Sequence, residues 1–245
     1  MNEPNAAIEI VLRIPGIWSH PRELVQRLPA GCRLNAESLT LPDSTRVEFD
    51  AVKADKQFAQ IFRSACRQSA TAEELATVDG YRVNVILRGP GGSLQSAHSM
   101  MRAAAVIVQA GGAGVFIDNS ALAHGGSGWL EMTEDGGPDA LSFAFVSIVR
   151  GRTEVWTMGM HVLGLRDIVM KRTDADANEF GIIEVIRYLA RGEKPVVNGD
   201  LLADLNGPRF QAFAQESAET PVGSPMHNPF GRLKLVSMRD IAEAN

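Results

Sequence analysis

Apolar residues recur at every second position in Ile8, Ile10, Leu12 and Ile14, which predicts a strand that Pro15-Gly16 stops. Pro21, after Ser19-His20, suits the first turn of a short helix through Leu28. Leu34 to Leu41 and Thr45 to Val52 read as two strands, with Pro42-Asp43-Ser44 turning the chain between them. Lys56 to Gln68 is amphipathic, with Phe58, Ile61, Phe62, Ala65 and Cys66 on one helical face. Thr71 opens a shorter helix through Ala76, and Tyr81, Val83, Val85 and Leu87 form the next strand. The order β-α-β-β-α-β predicts a ferredoxin-like half over residues 1–88, built on an antiparallel sheet.

Gly89-Pro90-Gly91-Gly92-Ser93 then leads into a helix from Leu94 to Ala110, whose apolar stripe includes Ala97, Met101, Ala104 and Val108. Gly114 to Ile117 is a short buried strand. Ala121 to Asp139 is rich in glycine and acids, which predicts a surface loop with at most one helical turn. Leu141 to Val149 is apolar on both faces, as a covered central strand would be. After a tight turn at Val149–Arg152, Trp156, Met158, Met160 and Val162 alternate with Val155, Thr157, Gly159 and His161. That period of two predicts one strand through Val162, with Gly159 marking a bulge or a close backbone approach.

Thr173-Asp174-Ala175-Asp176 fits a helix cap, and Ile182, Val185, Ile186 and Leu189 form the stripe that follows. Residues 196–230 read as loop-rich with a helix near Pro208–Gln215, and Gly231 to Met238 closes with a strand. The expected fold is α+β. A ferredoxin-like first half packs with a second α/β half over residues 89–245, with mixed or antiparallel sheets, and residues 1–245 make a single compact unit.

One stretch carries a family likeness. Thr157-Met158-Gly159-Met160, then Gly164, a strand and the acidic Thr173-Asp174-Ala175-Asp176 resemble the bacterial family catalogued as domain of unknown function 4261. The likeness continues through Gly114-Val115-Phe116 upstream, and through Asn198-Gly199-Asp200 and Leu233-Lys234-Leu235 downstream, covering residues 81–238. It implies a fold and a bacterial source, and brings no reaction with it.

Composition narrows the function classes. Net charge is −5, from 24 basic and 29 acidic residues with no long run of either sign, which disfavours a nucleic-acid partner. The Met1–Asn5 start has no signal-peptide pattern. The longest apolar stretch, Ala103 to Ile117, falls short of the roughly 20 residues that span a bilayer, so no membrane association is expected. Cys32 and Cys66 lack metal or redox spacing, and Cys66 extends an apolar helical face; a reduced, cytoplasmic protein is expected.

No catalytic constellation emerges. The amides of Gly91, Gly92 and Ser93 stand where an anion can sit, but the spacing is neither the dinucleotide nor the Walker pattern and no lysine follows. A tight connection capped by Ser93 is the favoured reading. Asp174, Asp176 and Asn178 have calcium-loop spacing, but Glu179 and Val185 stand where the loop needs Gly and Glu. The five histidines form no ligand pair. A three-residue metal site of His124, Glu131 and His161 has only residue type behind it, and His161, two residues past Gly159, is the one placed to serve a site. Gly125-Gly126-Ser127-Gly128 resembles a nucleophile elbow only superficially, since no strand before it and no helix after it is legible. Trp129, in this polar loop, either tucks under its own loop or meets a partner; tucking is favoured.

The expectation is therefore a non-catalytic protein-interaction module, an adaptor or a neutralising partner of another protein, with no cofactor and no metal. The alternatives are a hydrolase assembled from distant loops near His161 and a small-anion binder at residues 89–93. Candidate binding residues are Gly91, Gly92, Ser93, Trp129, Gly159 and His161.

Overall fold

The computed structural model describes residues 8–66, 70–175, 181–192, 194–203, 209–216 and 220–244. The chain opens with β1 (Glu9–Gly16), α1 (Pro21–Arg27), β2 (Arg33–Leu34), β3 (Ser38–Thr40) and β4 (Arg46–Lys53). Then come α2 (Phe58–Ala65), α3 (Ala72–Asp79) and β5 (Val83–Pro90), which completes the β-α-β-β-α-β order with its second strand broken in two. After α4 (Leu94–Gln109), β6 (Gly114–Ile117) and β7 (Leu122–Gly125) join the same sheet. Its order is β2-β3-β4-β5-β1-β6-β7, and every neighbouring pair is antiparallel.

That order departs from the ferredoxin-like one in which helix-joined strands run parallel around an intervening strand. Here β4 and β5, joined through α2 and α3, are direct antiparallel neighbours. β5 also pairs with β1 over its full length, from Glu9↔Pro90 to Gly16↔Val83, so it stands between β4 and β1. β6 and β7 then add on the far side of β1, so the sheet extends to Gly125 and does not end at residue 88.

The rest of the chain is α5 (Gly126–Asp135), α6 (Pro138–Phe145), β8 (Ser147–Arg150), β9 (Glu154–Met158), a 3-10 turn (Met160–Leu163), β10 (Asp167–Lys171), α7 (Arg172–Ala175) and α8 (Ile182–Arg191). It closes with β11 (Leu201–Ala203), β12 (Arg209–Gln215), β13 (Arg232–Ser237) and α9 (Met238–Ala244). The second sheet runs β11-β12-β13-β10-β9-β8 and is mixed, because β10 and β13 are parallel.

Several elements differ from their sequence reading. The glycine-rich segment 121–139 is β7 and α5, not a surface loop. Leu141–Val149 divides into the end of α6 and β8; Pro138 at the first helical position starts a helix that an apolar run alone does not distinguish from a buried strand. The strand through Trp156 ends at Met158, because Gly159 at φ +98° turns the chain into the 3-10 segment. Residues 209–215 are a strand in which Phe210 and Ala212 are buried in alternation, not a helix. Thr173, Asp174 and Ala175 of the expected cap lie inside α7, while Asp176, and Asn178 of the calcium-loop spacing, lie outside the described residues.

α4 sits between the layers. Ser93 caps its start by accepting from the Ser96 amide, and its residues from Ala103 to Val108 are all buried. Burial around the whole circumference is what a helix covered on both sides requires. It packs on β1, β5 and β6 on one side and on the 3-10 turn, α5 and α6 elsewhere. One core therefore runs from Ile10, Leu12 and Leu87 of the first sheet through Met100 and Ile107 to Val155, Ile168 and Leu235 of the second. A smaller cluster, Phe58, Phe62, Tyr81 and Phe116, packs α2 on the other face of the first sheet. Among the described residues no helix is long and apolar enough to cross a membrane.

Candidate interaction groove

β7 and β8 are the outer strands at one end of their respective sheets, and α5 and α6 carry the chain from one to the other. α5 begins directly at Gly126, and no side chain of its own caps it. Glu74 of α3 supplies that cap: one carboxylate oxygen accepts from the Ser127 amide at 2.7 Å and from its hydroxyl at 2.8 Å, and the other accepts from the Thr71 amide at 2.7 Å. Burial, which alone would raise the Glu74 pKa, is outweighed by those amide and hydroxyl donors, so the group stays below its ordinary value. Gly136, left-handed at φ +60°, ends α5, and Pro138 starts α6.

This path returns β8 to the turn before β7, where the Ser147 hydroxyl donates to the Ser120 carbonyl at 2.8 Å. Between the two sheet edges lies a groove of about 750 Å³. Ser120 to Leu122 form one wall, all of β8 the other, and α8 contributes Ile183, Ile186 and Arg187. Ser64 and Ala65 of α2 belong both to this groove and to an adjoining depression of about 380 Å³ beside Ile61 and Phe116. Ile61 at 47% and Ile183 at 49% exposure are large apolar side chains left open at these two sites. The sequence had placed Ile61 on the buried face of its helix.

The charged residues of the lining are Arg150 and Arg187; its other polar side chains are serines. Arg187 donates to Glu184 at 2.7 Å and stands 4.0 Å from Asp139. Asp139 in turn binds Arg191 at 2.6 Å, and that hydrogen bond holds its carboxyl below the usual value. Ser120 is buried, and its hydroxyl oxygen has no partner among the described residues. The arrangement brings apolar surface, an outer strand and two guanidinium groups together.

The residues singled out in the sequence do not converge here. Gly91 and Gly92 donate their amides to the carbonyls of Ile8 and Val162, and the Ser93 hydroxyl is engaged as the α4 cap, so this loop packs on the 3-10 turn and leaves those amides committed. Trp129 is fully buried and donates its indole N–H to the Met101 carbonyl at 3.0 Å, so it is a core anchor and not a contact residue. Gly159 lies against the Phe145 carbonyl and the Ser120 side chain. His161 is buried on the 3-10 turn, not on a strand. Its Nε2 donates to the Pro225 carbonyl at 3.0 Å, and Nδ1 is left without a partner among the described residues. Burial, helped by nearby His227, lowers its pKa to about 4 against the opposing pull of that hydrogen bond.

Ser127 does follow a strand and open a helix, the scaffold that the sequence reading found missing. Its hydroxyl bonds Glu74, a carboxylate with a lowered pKa and hence a weak base. His124 and Glu131 line the same depression of about 300 Å³ as Ser127 and Glu74, with the His124 Nε2 on the Ala144 carbonyl at 2.9 Å.

A buried polar cluster anchors the 3-10 turn. Asp167 accepts from Thr157 at 3.1 Å, from the Met160 amide at 3.3 Å and from Asn228 at 2.8 Å. Burial raises its pKa to about 6, outweighing these donors and the field of Arg232.

The groove residues had few sequence signals. Ile183 was one, an apolar residue outside the stripe Ile182, Val185, Ile186 and Leu189. No family model, no curated protein and no solved structure matches the chain.

Proposed function

We propose that this chain is a non-catalytic protein-interaction module, an adaptor or a neutralising partner of another protein, that receives its partner in the groove between β7 and β8. The observation that carries the reading is the coincidence of a strand edge, an apolar groove of about 750 Å³ and the half-exposed Ile183 in one place. The hydrolase alternative near His161 draws no support from a buried imidazole bonded to a main-chain carbonyl. The anion alternative draws none from glycine amides already bonded to carbonyls. A bacterial source rests on the family resemblance. A cytoplasmic setting rests on Cys32 and Cys66 being thiols and not a disulfide.

Ile183→Glu places a charge in the groove from a position that is already half exposed, so folding survives it. Capture of a protein by the wild-type chain should be lost in Ile183→Glu and kept in Val222→Glu, whose parent residue is 87% exposed. Capture indifferent to Ile183→Glu would overturn the reading.

A further inference from the structure

β12 and β13 are consecutive strands paired antiparallel to their very ends, Gln215 opposite Arg232, yet the whole of 216–231 separates them in sequence. Two residues suffice to join such a pair. A connection this long whose ends meet is an Ω-loop, a form that is frequently functional. Residues 216 and 220–231 of it are described.

The loop holds its own shape. The Ser224 amide donates to the Pro221 carbonyl at 3.0 Å, the His227 amide to the Ser224 carbonyl at 2.9 Å, and the Phe230 amide to the Asn228 side chain at 2.9 Å. Two of its residues fasten it to the rest of the chain. The Pro225 carbonyl accepts from Asn119 Nδ2 and from His161 Nε2, each at 3.0 Å. Asn228 Nδ2 donates to the Leu165 carbonyl at 3.0 Å and to the Asp167 carboxyl at 2.8 Å.

The fastening is polar. Asn228 is buried, while Val222, Met226 and Phe230 stay exposed or half-buried. Beneath the loop Asn119, His161 and Asp167 are all buried. Asn119 is tied to β1 through Val11 and Glu9, and Asp167 belongs to β10, so this polar patch lies where the two sheets meet. Covering three polar side chains with a loop that buries no large apolar one gains little over leaving them in water. The closed and lifted forms therefore stand close in free energy, and lifting leaves the β12–β13 ladder whole because the loop's ends meet.

We infer that Asn119, His161 and Asp167 form a peptide-binding site that the chain's own loop keeps occupied. The loop shows the chemistry the site takes. It supplies a main-chain carbonyl to the Asn119 and His161 donors and, three residues on, a side-chain amide to Asp167 and the Leu165 carbonyl. None of these residues lines the groove, so the site goes beyond the groove reading and stands or falls separately from it.

The probe is a labelled synthetic peptide with the sequence of residues 220–231, titrated into the full chain. Asn228→Asp sets a carboxylate against Asp167 and removes both donated bonds. The amides of Ser224, His227 and Phe230 should then exchange about tenfold faster or more, with β5, β12 and β13 still protected. The peptide should bind this variant about tenfold more tightly than the wild type, whose site is filled, and should slow exchange at residues 160–167. A peptide carrying Ala in place of its Asn228 should bind about tenfold more weakly.

Equal binding to wild type and variant, a faster loop with no peptide bound, or a loop no faster than in the wild type would overturn the site. Asn228→Ala removes the same bonds without adding a charge and gives the same readings if the aspartate variant unfolds. Loop and sheets losing protection together in both variants would equally overturn it.

Discussion

The hydroxyl of Ser147 donates a 2.8 Å hydrogen bond to the carbonyl of Ser120, tying the start of one sheet's outer strand to the turn that enters the other's. Both residues also line the groove. Ser147→Ala should cost about 1 kcal/mol, the ordinary net value of such a bond. In amide exchange the loss should show as faster opening of residues 147–150, ahead of any change in the central strands.

Gly159 is a sharper test of the same region. At φ +98° a side chain is strained, and a Cβ there would press on the Phe145 carbonyl and approach Ser120 to 2.9 Å. Gly159→Ala should destabilise by about 3 kcal/mol in urea unfolding. Gly128→Ala makes the contrasting case, since a Cβ in that helical position meets nothing within 4 Å. It should be neutral or stabilising by about 0.5 kcal/mol.

Glu74 serves two helix starts with one carboxylate, so Glu74→Ala should cost about 2 kcal/mol, more than an isolated cap. Its folded pKa lies below the ordinary 4.5, so its contribution is present above that value and lost as pH falls through the folded one. The alanine variant should therefore lose less stability than the wild type on acidification below about pH 4.5.

Asp167 and His161 contribute to the pH dependence of stability with opposite signs. The folded chain holds the Asp167 proton up to about pH 6 against an ordinary 3.8, so that contribution is full below 3.8 and lost as pH rises to 6. His161 holds its proton only below about pH 4 against an ordinary 6.5, so its contribution is full above 6.5 and lost as pH falls. Across this window the two changes offset. Asp167→Asn removes one of them, and urea midpoints should then fall between pH 6.5 and 4 by the equivalent of about 3 kcal/mol more than in the wild type.

Local pattern carried much of the architecture. Ile10, Leu12 and Ile14 do alternate inward, and the stripe from Ala97 to Val108 is the helix between the sheets. Where two structures share a pattern, the reading failed. Ala140 to Val149 is apolar in either state, and only Pro138 marks the helix start. The run Phe210-Gln211-Ala212-Phe213 has the strand period, but the loop residues around it hid the element. The groove was illegible for another reason: α2, β7, β8 and α8 are far apart in sequence and meet only through tertiary packing. What the sequence shows of it is Ile183, out of step with its own stripe.

A photo-crosslinking residue placed in turn at Val149, Ile183 and Val222 measures the central claim directly. The first two positions line the groove, and the third is 87% exposed outside its lining. In cells that make the chain's partner, Val149 and Ile183 should both yield an adduct with the same protein, and Val222 none. Adducts from Val222 alone, or equal yields at all three positions, would contradict the groove as the place where this protein meets its partner.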